Sequence, residues 1–445
     1  MTQIGSYTAR AEAFRSGEDS PVAVLEACLA EIGKRESVVK AFKAMAIERA
    51  RAEAAESEAR WRRGEPLSPI DGMPVGIKDI LETADMPTGQ GSPLWEGFET
   101  RRDSASVQAL RDAGALILGK TATTEFASRP QFAETTNPHD PTRTPGGSSS
   151  GSCAAVGAGF VPLALGTQVV GSTLRPSSYC GVIGYKPSIG GFNRGGSYDY
   201  LSHSCTGLIA TTLDDIWLTA KALVARTGGD PGYPGVTGPE ALPAATAPRT
   251  LVVLETDGWS RAAPGAREAF ASACHRLQAA GVTIVTRGAD AELDAMDAAI
   301  AQVGSLSDTI LGWEGRWPVG GYARTDAEKL HPLTRERIER NRSLTQDDYR
   351  AALDDRAALR RRYASLLQGA DAVVTLAATG AAPVGLESTG DAGFNIPASV
   401  LGVPALSLPV LSDGDMPLGL QLMGRVDEDA SLFALANWTM DLFSA

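Results

Sequence analysis

Two loops made largely of glycine and small residues, Gly146-Gly147-Ser148-Ser149-Ser150-Gly151-Ser152 and Gly166-Thr167-Gln168-Val169-Val170-Gly171-Ser172, bracket one short helix and one strand. Loops this poor in bulky apolar side chains cannot build a core, so a scaffold on either side has to hold them. The flanking sequence supplies one. Residues 104–113 read as a helix stopped by Gly114, 115–118 as a strand, 153–159 as a small-residue helix, and 161–165 as a strand that turns at Gly166. Alternation of helix and strand predicts an α/β fold.

The same reading extends outward. The first sixty residues are rich in Ala, Glu and Arg, and apolar spacing predicts helices over 22–32 and around 39–46. Ile70-Asp71-Gly72-Met73-Pro74 reads as a turn, and Val75-Gly76-Ile77 as a short strand with Lys78 at its end. Residues 128–145 carry Pro130, Pro138, Pro141 and Pro145 and are expected to be loop. Further strands are predicted at 251–254, 282–285, 372–376, 405–409 and 418–422, with helices near 266–280, 291–303 and 349–367. Thr345 and Asp348 suit a capping box for the last of these. No internal repeat is visible, and 228–247, rich in Gly, Pro and Ala, reads as a linker-like excursion. The expectation is one domain over 1–445, with a helical segment at 1–60 and the chemistry carried by 65–215.

Composition removes several functional classes. A chain of 445 residues with 43% hydrophobic residues can bury a sizeable core. Its net charge of -12 leaves no cationic excess to neutralise phosphates, so nucleic acid is not an expected partner. Cys28, Cys153, Cys180, Cys205 and Cys274 form no CxxC pair, and His139, His203, His275 and His331 form no ligand-like spacing. Neither a disulfide framework nor a metal enzyme is suggested. No apolar run reaches membrane-spanning length and residues 1–10 are polar, so no membrane partner is expected and a cytoplasmic location fits.

Ser172 closes a loop that follows an apolar strand, a setting in which successive backbone N–H groups can face one way. Cleaving an amide requires such donors, because charge develops on the carbonyl oxygen. The N–H groups of Val169, Val170, Gly171 and Ser172 are the oxyanion-hole candidates, with Gly171 leaving room for substrate. A serine hydroxyl also needs a base, and the histidines are badly placed. A lysine serves if burial lowers its pKa, which makes Lys78 the candidate, with Ser148 as a hydroxyl relay. By loop statistics alone, Gly/Ser loops are more often plain turns and a strand-end lysine more often solvated. Lys186, before Pro187, is read as such a surface lysine at the end of its strand. His203 is read as a polar surface group, and Cys153 and Cys180 as buried packing residues. A rival reading takes Gly147-Ser148-Ser149-Ser150-Gly151 as a nucleophile elbow with Ser149 attacking, but Thr142-Arg143-Thr144-Pro145 is no apolar strand.

These motifs resemble the amidase signature family in order, spacing and flanks: Gly76-Ile77-Lys78-Asp79, the two Gly/Ser loops, and Cys180-Gly181-Val182-Ile183-Gly184-Tyr185-Lys186-Pro187. Weaker matches at Gly119-Lys120-Thr121, Glu125-Phe126-Ala127, Gly402-Val403-Pro404-Ala405 and Pro417-Leu418-Gly419-Leu420-Gln421-Leu422 extend the resemblance over nearly the whole chain. It implies a single α/β domain with a mixed, twisted central sheet flanked by helices. It places the triad on Lys78, Ser148, held in that family by a cis peptide, and Ser172, with Ser149 in support. It also implies hydrolysis of a small or medium carboxamide through an acyl-enzyme, without cofactor or metal. The partner implied is the small-molecule amide, and a homo-oligomer is left open.

The chain departs from the family at Gln168, where an Asp is common, at Val169-Val170, and at Leu174, where an Arg is common. The ion pair bracing the loop is then expected to be missing, with Arg175 the candidate replacement and Val170 narrowing the acyl pocket. The departures speak against the A-type component of a tRNA-dependent amidotransferase. The alternative they keep open is a catalytically silent binding subunit.

Overall fold

The computed structural model describes residues 5–128 and 134–444. Its centre is one sheet of eleven strands among the described residues. They are β1 (Phe42–Met45), β2 (Pro74–Lys78), β3 (Leu116–Thr121), β4 (Leu163–Gln168), β5 (Ile183–Lys186), β6 (Cys205–Ala210), β7 (Thr250–Val252), β8 (Thr283–Val285), β9 (Ala372–Leu376), β10 (Ala405–Asp413) and β11 (Met416–Met423). Across the sheet the order is β1-β3-β2-β4-β6-β5-β10-β11-β9-β7-β8. Parallel pairs (β2 with β3 and β4, β7 with β8 and β9) flank an antiparallel middle, so the sheet is mixed as expected.

Alternation along the central strands explains why both faces are covered. Leu163 and Leu165 of β4 and Leu208 of β6 enter one apolar cluster with Ile77, whereas Ala164 and Ile209 enter a second cluster with Leu116 and Leu118. Side chains of a strand point to opposite faces in turn, and here both faces find helices. The helices Pro21–Val39 and Ser150–Gly157 close the second face, the latter offering Cys153, Ala154 and Ala155 to it. Small side chains there let the helix lie close to β2 and β4.

Most expected elements are present with shifted ends. The region expected to be helical around 39–46 is instead β1. Lys40 takes a left-handed conformation (φ 53°) that ends the preceding helix, and Phe42–Met45 then pairs with the free edge of β3. A tertiary partner outweighs local propensity. The turn expected at Gly166 is also absent: β4 continues to Gln168 and pairs with β6 as far as Cys205. Gly166 allows a close approach instead, since a Cβ there would lie 2.8 Å from Ser149 Oγ. The helix expected over 291–303 is two, Ala291–Ile300 and Val303–Glu314. The capping box at Thr345 is present in full. Residues 129–133 of the expected 128–145 loop lie outside the described residues. No helix among the described residues is long and apolar enough to cross a membrane.

Candidate active site

Lys78 is the last residue of β2, a strand buried along its whole length because β3 and β4 pair with both its edges. Its Nζ donates to Ser148 Oγ at 2.7 Å and to Thr167 Oγ1 at 2.7 Å, with the Thr167 carbonyl at 3.5 Å. The side chain is fully buried, and burial pulls its ammonium pKa down to about 8, against an upward pull from the Asp199 carboxylate. A cation held by hydroxyls and kept from water gives up its proton readily.

Ser148 follows a cis peptide bond, Gly147–Ser148, ahead of the helix Ser150–Gly157. The two Gly/Ser loops are stitched together at their backbones. Ser149 N–H donates to the Ser172 carbonyl at 3.2 Å, and Thr124 N–H donates to the Ser148 carbonyl at 3.3 Å. Ser149 Oγ donates to the Thr167 carbonyl at 3.2 Å and accepts from the Thr167 N–H at 3.3 Å. That hydroxyl is therefore engaged with β4, and no strand leads into it, which leaves the nucleophile-elbow reading without its geometry.

Ser172 sits where β4 gives way to the helix Leu174–Cys180, a helix not anticipated from the sequence because Pro176 stands within it. Gln168 organises this turn. Its Oε1 accepts the N–H groups of Thr173 (3.0 Å) and Leu174 (3.1 Å), while its Nε2 donates to Ser399 Oγ at 3.1 Å. Arg175 braces the turn from the other side. Its Nη2 donates to the Gly147 carbonyl (2.7 Å) and Thr389 Oγ1 (3.1 Å), and its Nε to the Thr389 carbonyl (2.7 Å). One guanidinium, carried on the helix just after the second Gly/Ser loop, thus ties the first loop to the 389 segment, a fork geometry suited to three acceptors.

The carbonyls of Val170 and Gly171 are both turned into the protein. Val170 O accepts from Ser399 Oγ (3.3 Å) and Gly171 O from the Arg175 N–H (3.1 Å). In a trans peptide the next N–H points away from the carbonyl, so the N–H groups of Gly171 and Ser172 face the opposite side. Gly171 is required by the protein's own packing. A Cβ there would meet Asn395 Oδ1 at 2.8 Å and Arg175 Nη1 at 3.1 Å. Ser172 keeps 7% of its surface exposed at this turn.

Two surface assignments are overturned. Lys186 is buried and donates to the Pro187 carbonyl at 2.7 Å, because β5 lies between β6 and β10. His203 is also buried, with Nε2 3.3 Å from Ser307 Oγ, and burial pushes its pKa down to about 3. Cys153 and Cys180 are buried as expected. Sequence reasoning passes over Thr167, Asp199, Asn395 and Thr389. Thr167 lies within the second Gly/Ser loop, and its polar side chain at a strand end is the one available signal; the others come from distant segments.

A family model described as Amidase matches residues 23–433. In Chloroflexus aggregans, the A component of glutamyl-tRNA(Gln) amidotransferase is 31% identical over a 481-residue alignment covering 98% of this chain and 96% of the relative. The AtzE component of the 1-carboxybiuret hydrolase of Pseudomonas sp. (strain ADP) is 37% identical over 294 residues, covering 61% of this chain and 57% of the relative. A crystal structure of an amidase matches with a TM-score of 0.83 at 26% identity, covering 99% of each chain.

Proposed function

The chain belongs to the amidase family, whose enzymes hydrolyse amides, and from that premise we propose that it cleaves a carboxamide C–N bond through an acyl-enzyme on Ser172. The observation that carries the reading is Lys78 Nζ, buried and 2.7 Å from Ser148 Oγ, with burial lowering its pKa to about 8. Neutral Lys78 takes the Ser148 proton as Ser148 takes that of Ser172, and Ser172 Oγ bonds to the carbonyl carbon. The oxyanion is met by N–H groups of the Val169–Ser172 turn, those of Gly171 and Ser172 pointing opposite to the carbonyls that Ser399 and Arg175 hold from within the protein. The reverse relay protonates the departing ammonia or amine, and water releases the acid. Ser149 supports the relay by tying the first loop to β4. No cofactor enters this sequence.

Substrates are expected to be small or medium linear carboxamides. A second reading, the amide-hydrolysing component of an amidotransferase, has in its favour the relatives of that description that align with almost the whole chain. Against it stands the Gln168-Val169-Val170 turn, braced by an amide and Arg175. Ammonia or amine release from a panel of primary amides, anilides and ureas, compared between wild type and Ser172→Ala, tests the proposal. Release abolished by the substitution is expected. No release from wild type, with Ser172 inert to a fluorophosphonate, overturns it in favour of a silent binding subunit.

A further inference from the structure

The segment after β5 returns to the end of β2 by backbone pairing. Leu81 and Ser197 form an antiparallel bridge, Tyr198 N–H donates to the Ile80 carbonyl at 3.2 Å, and Glu82 N–H donates to the Gly196 carbonyl at 3.0 Å. This seating carries Asp199 to the end of the strand that bears Lys78. The Asp199 residue is 4% exposed. Its Oδ1 accepts from Ser197 Oγ at 2.6 Å, whereas its buried Oδ2 has no hydrogen-bond partner. A buried carboxylate oxygen without a donor is costly, and positive charge arising nearby offsets that cost.

We propose that Asp199 is a positioning residue for the amide hydrolysis described above, its carboxylate supplying the counter-charge to Lys78 when Lys78 takes up the relayed proton. The inference rests on the amidase reading. In that step the Ser172 proton passes to Ser148, the Ser148 proton passes to Lys78 Nζ, and negative charge appears on the carbonyl oxygen. Lys78 thereby becomes an ammonium in a buried site, and stabilising it lowers the barrier to attack.

The other groups around Lys78 do not supply that charge. Ser148 and Thr167 are neutral hydroxyls. Cys153, from the helix Ser150–Gly157, and Cys205, at the start of β6, are buried thiols pushed above their ordinary pKa, Cys153 to about 12. Asp199 is the carboxylate that raises the Lys78 pKa against desolvation.

The test needs no identified substrate, because the rate at which a fluorophosphonate modifies Ser172 reports how strongly the serine is activated. Its pH dependence is measured for wild type, Asp199→Asn and Asp199→Glu. Wild type is expected to rise through a limb near pH 8. In Asp199→Asn the limb moves down by about one pH unit and the plateau falls by about tenfold, because the ammonium loses its counter-charge. Asp199→Glu, which keeps the charge, returns the limb toward wild type. Should Asp199→Asn fail to fold, Asp199→Ser carries the same expectation with a smaller side chain. A folded neutral variant whose limb stays in place overturns this inference alone, provided wild type labels and Ser172→Ala does not. Wild type that never labels overturns the amidase reading and this inference with it.

Discussion

Two neighbouring strands each bury a lysine, and the two lysines have opposite kinds of surroundings. On β3, Lys120 lies 3.1 Å from Asp79 Oδ1 and also donates to Thr88 Oγ1 (2.8 Å) and the Pro87 carbonyl (3.1 Å). On β2, Lys78 touches hydroxyls and a carbonyl, and among the described residues it forms no ion pair. Burial draws both lysines toward the neutral form, but at Lys120 the adjacent carboxylate opposes it directly. On the function proposed above, the contrast implies that burial alone does not make a base: Lys78 would serve as one because the fold surrounds it with groups that can exchange a proton and withholds a contact anion.

Substitution of both lysines gives the strongest way to break that comparison. Lys78→Ala is expected to lower kcat/KM by roughly 10³-fold with the fold retained, because the relay loses its acceptor. Wild-type kcat/KM should rise with pH through about 8, since the neutral amine is the active form and acid removes it. A pH–rate profile of the two proteins checks both statements, and near-normal turnover by Lys78→Ala sinks the assignment.

Lys120→Met should do the reverse. Removing the cation leaves Asp79 buried without its partner and costs about 3–5 kcal/mol of stability, read from denaturant unfolding. The fraction that folds should keep the wild-type pH limb. A shifted limb in that variant would mean that the two lysines are not separate in role.

The smallest effect sharpens the comparison at the nucleophile. Gln168→Ala removes the acceptor of two N–H groups in the turn that holds Ser172, and a stability loss of about 2 kcal/mol is expected. A drop in kcat/KM of about tenfold should accompany it, with KM nearly constant, since the turn positions the attacking oxygen. Unchanged kcat/KM would show that Arg175 braces the turn alone.

Much of this arrangement is legible along the chain, and the failures are instructive. Lys78 at a strand end, Ser148 and Ser172 in paired loops, and the capping box at Thr345 all rest on local patterns, which a sequence displays directly. Strand β1 reads as helix because its pairing partner β3 lies more than seventy residues away. Lys186 and His203 read as surface groups because a polar residue carries no mark of the strands and helices that will cover it. The packing demand at Gly171, set by Asn395 and Arg175, carries no mark in the sequence either.

Spacing and residue type along the chain are thus enough for the α/β alternation and the two Gly/Ser loops, because each depends on neighbours a few positions apart; Lys78, Ser148 and Ser172 are only suggestive on that ground, and it is the resemblance to the amidase signature family that singles them out. What surrounds those residues is decided only on folding. Gln168 reaches Ser399, Arg175 reaches Thr389 and Gly147, and Asp199 is carried back to the end of β2. The pKa of a buried amine depends on water excluded and charges brought near, and both are supplied by segments distant in sequence.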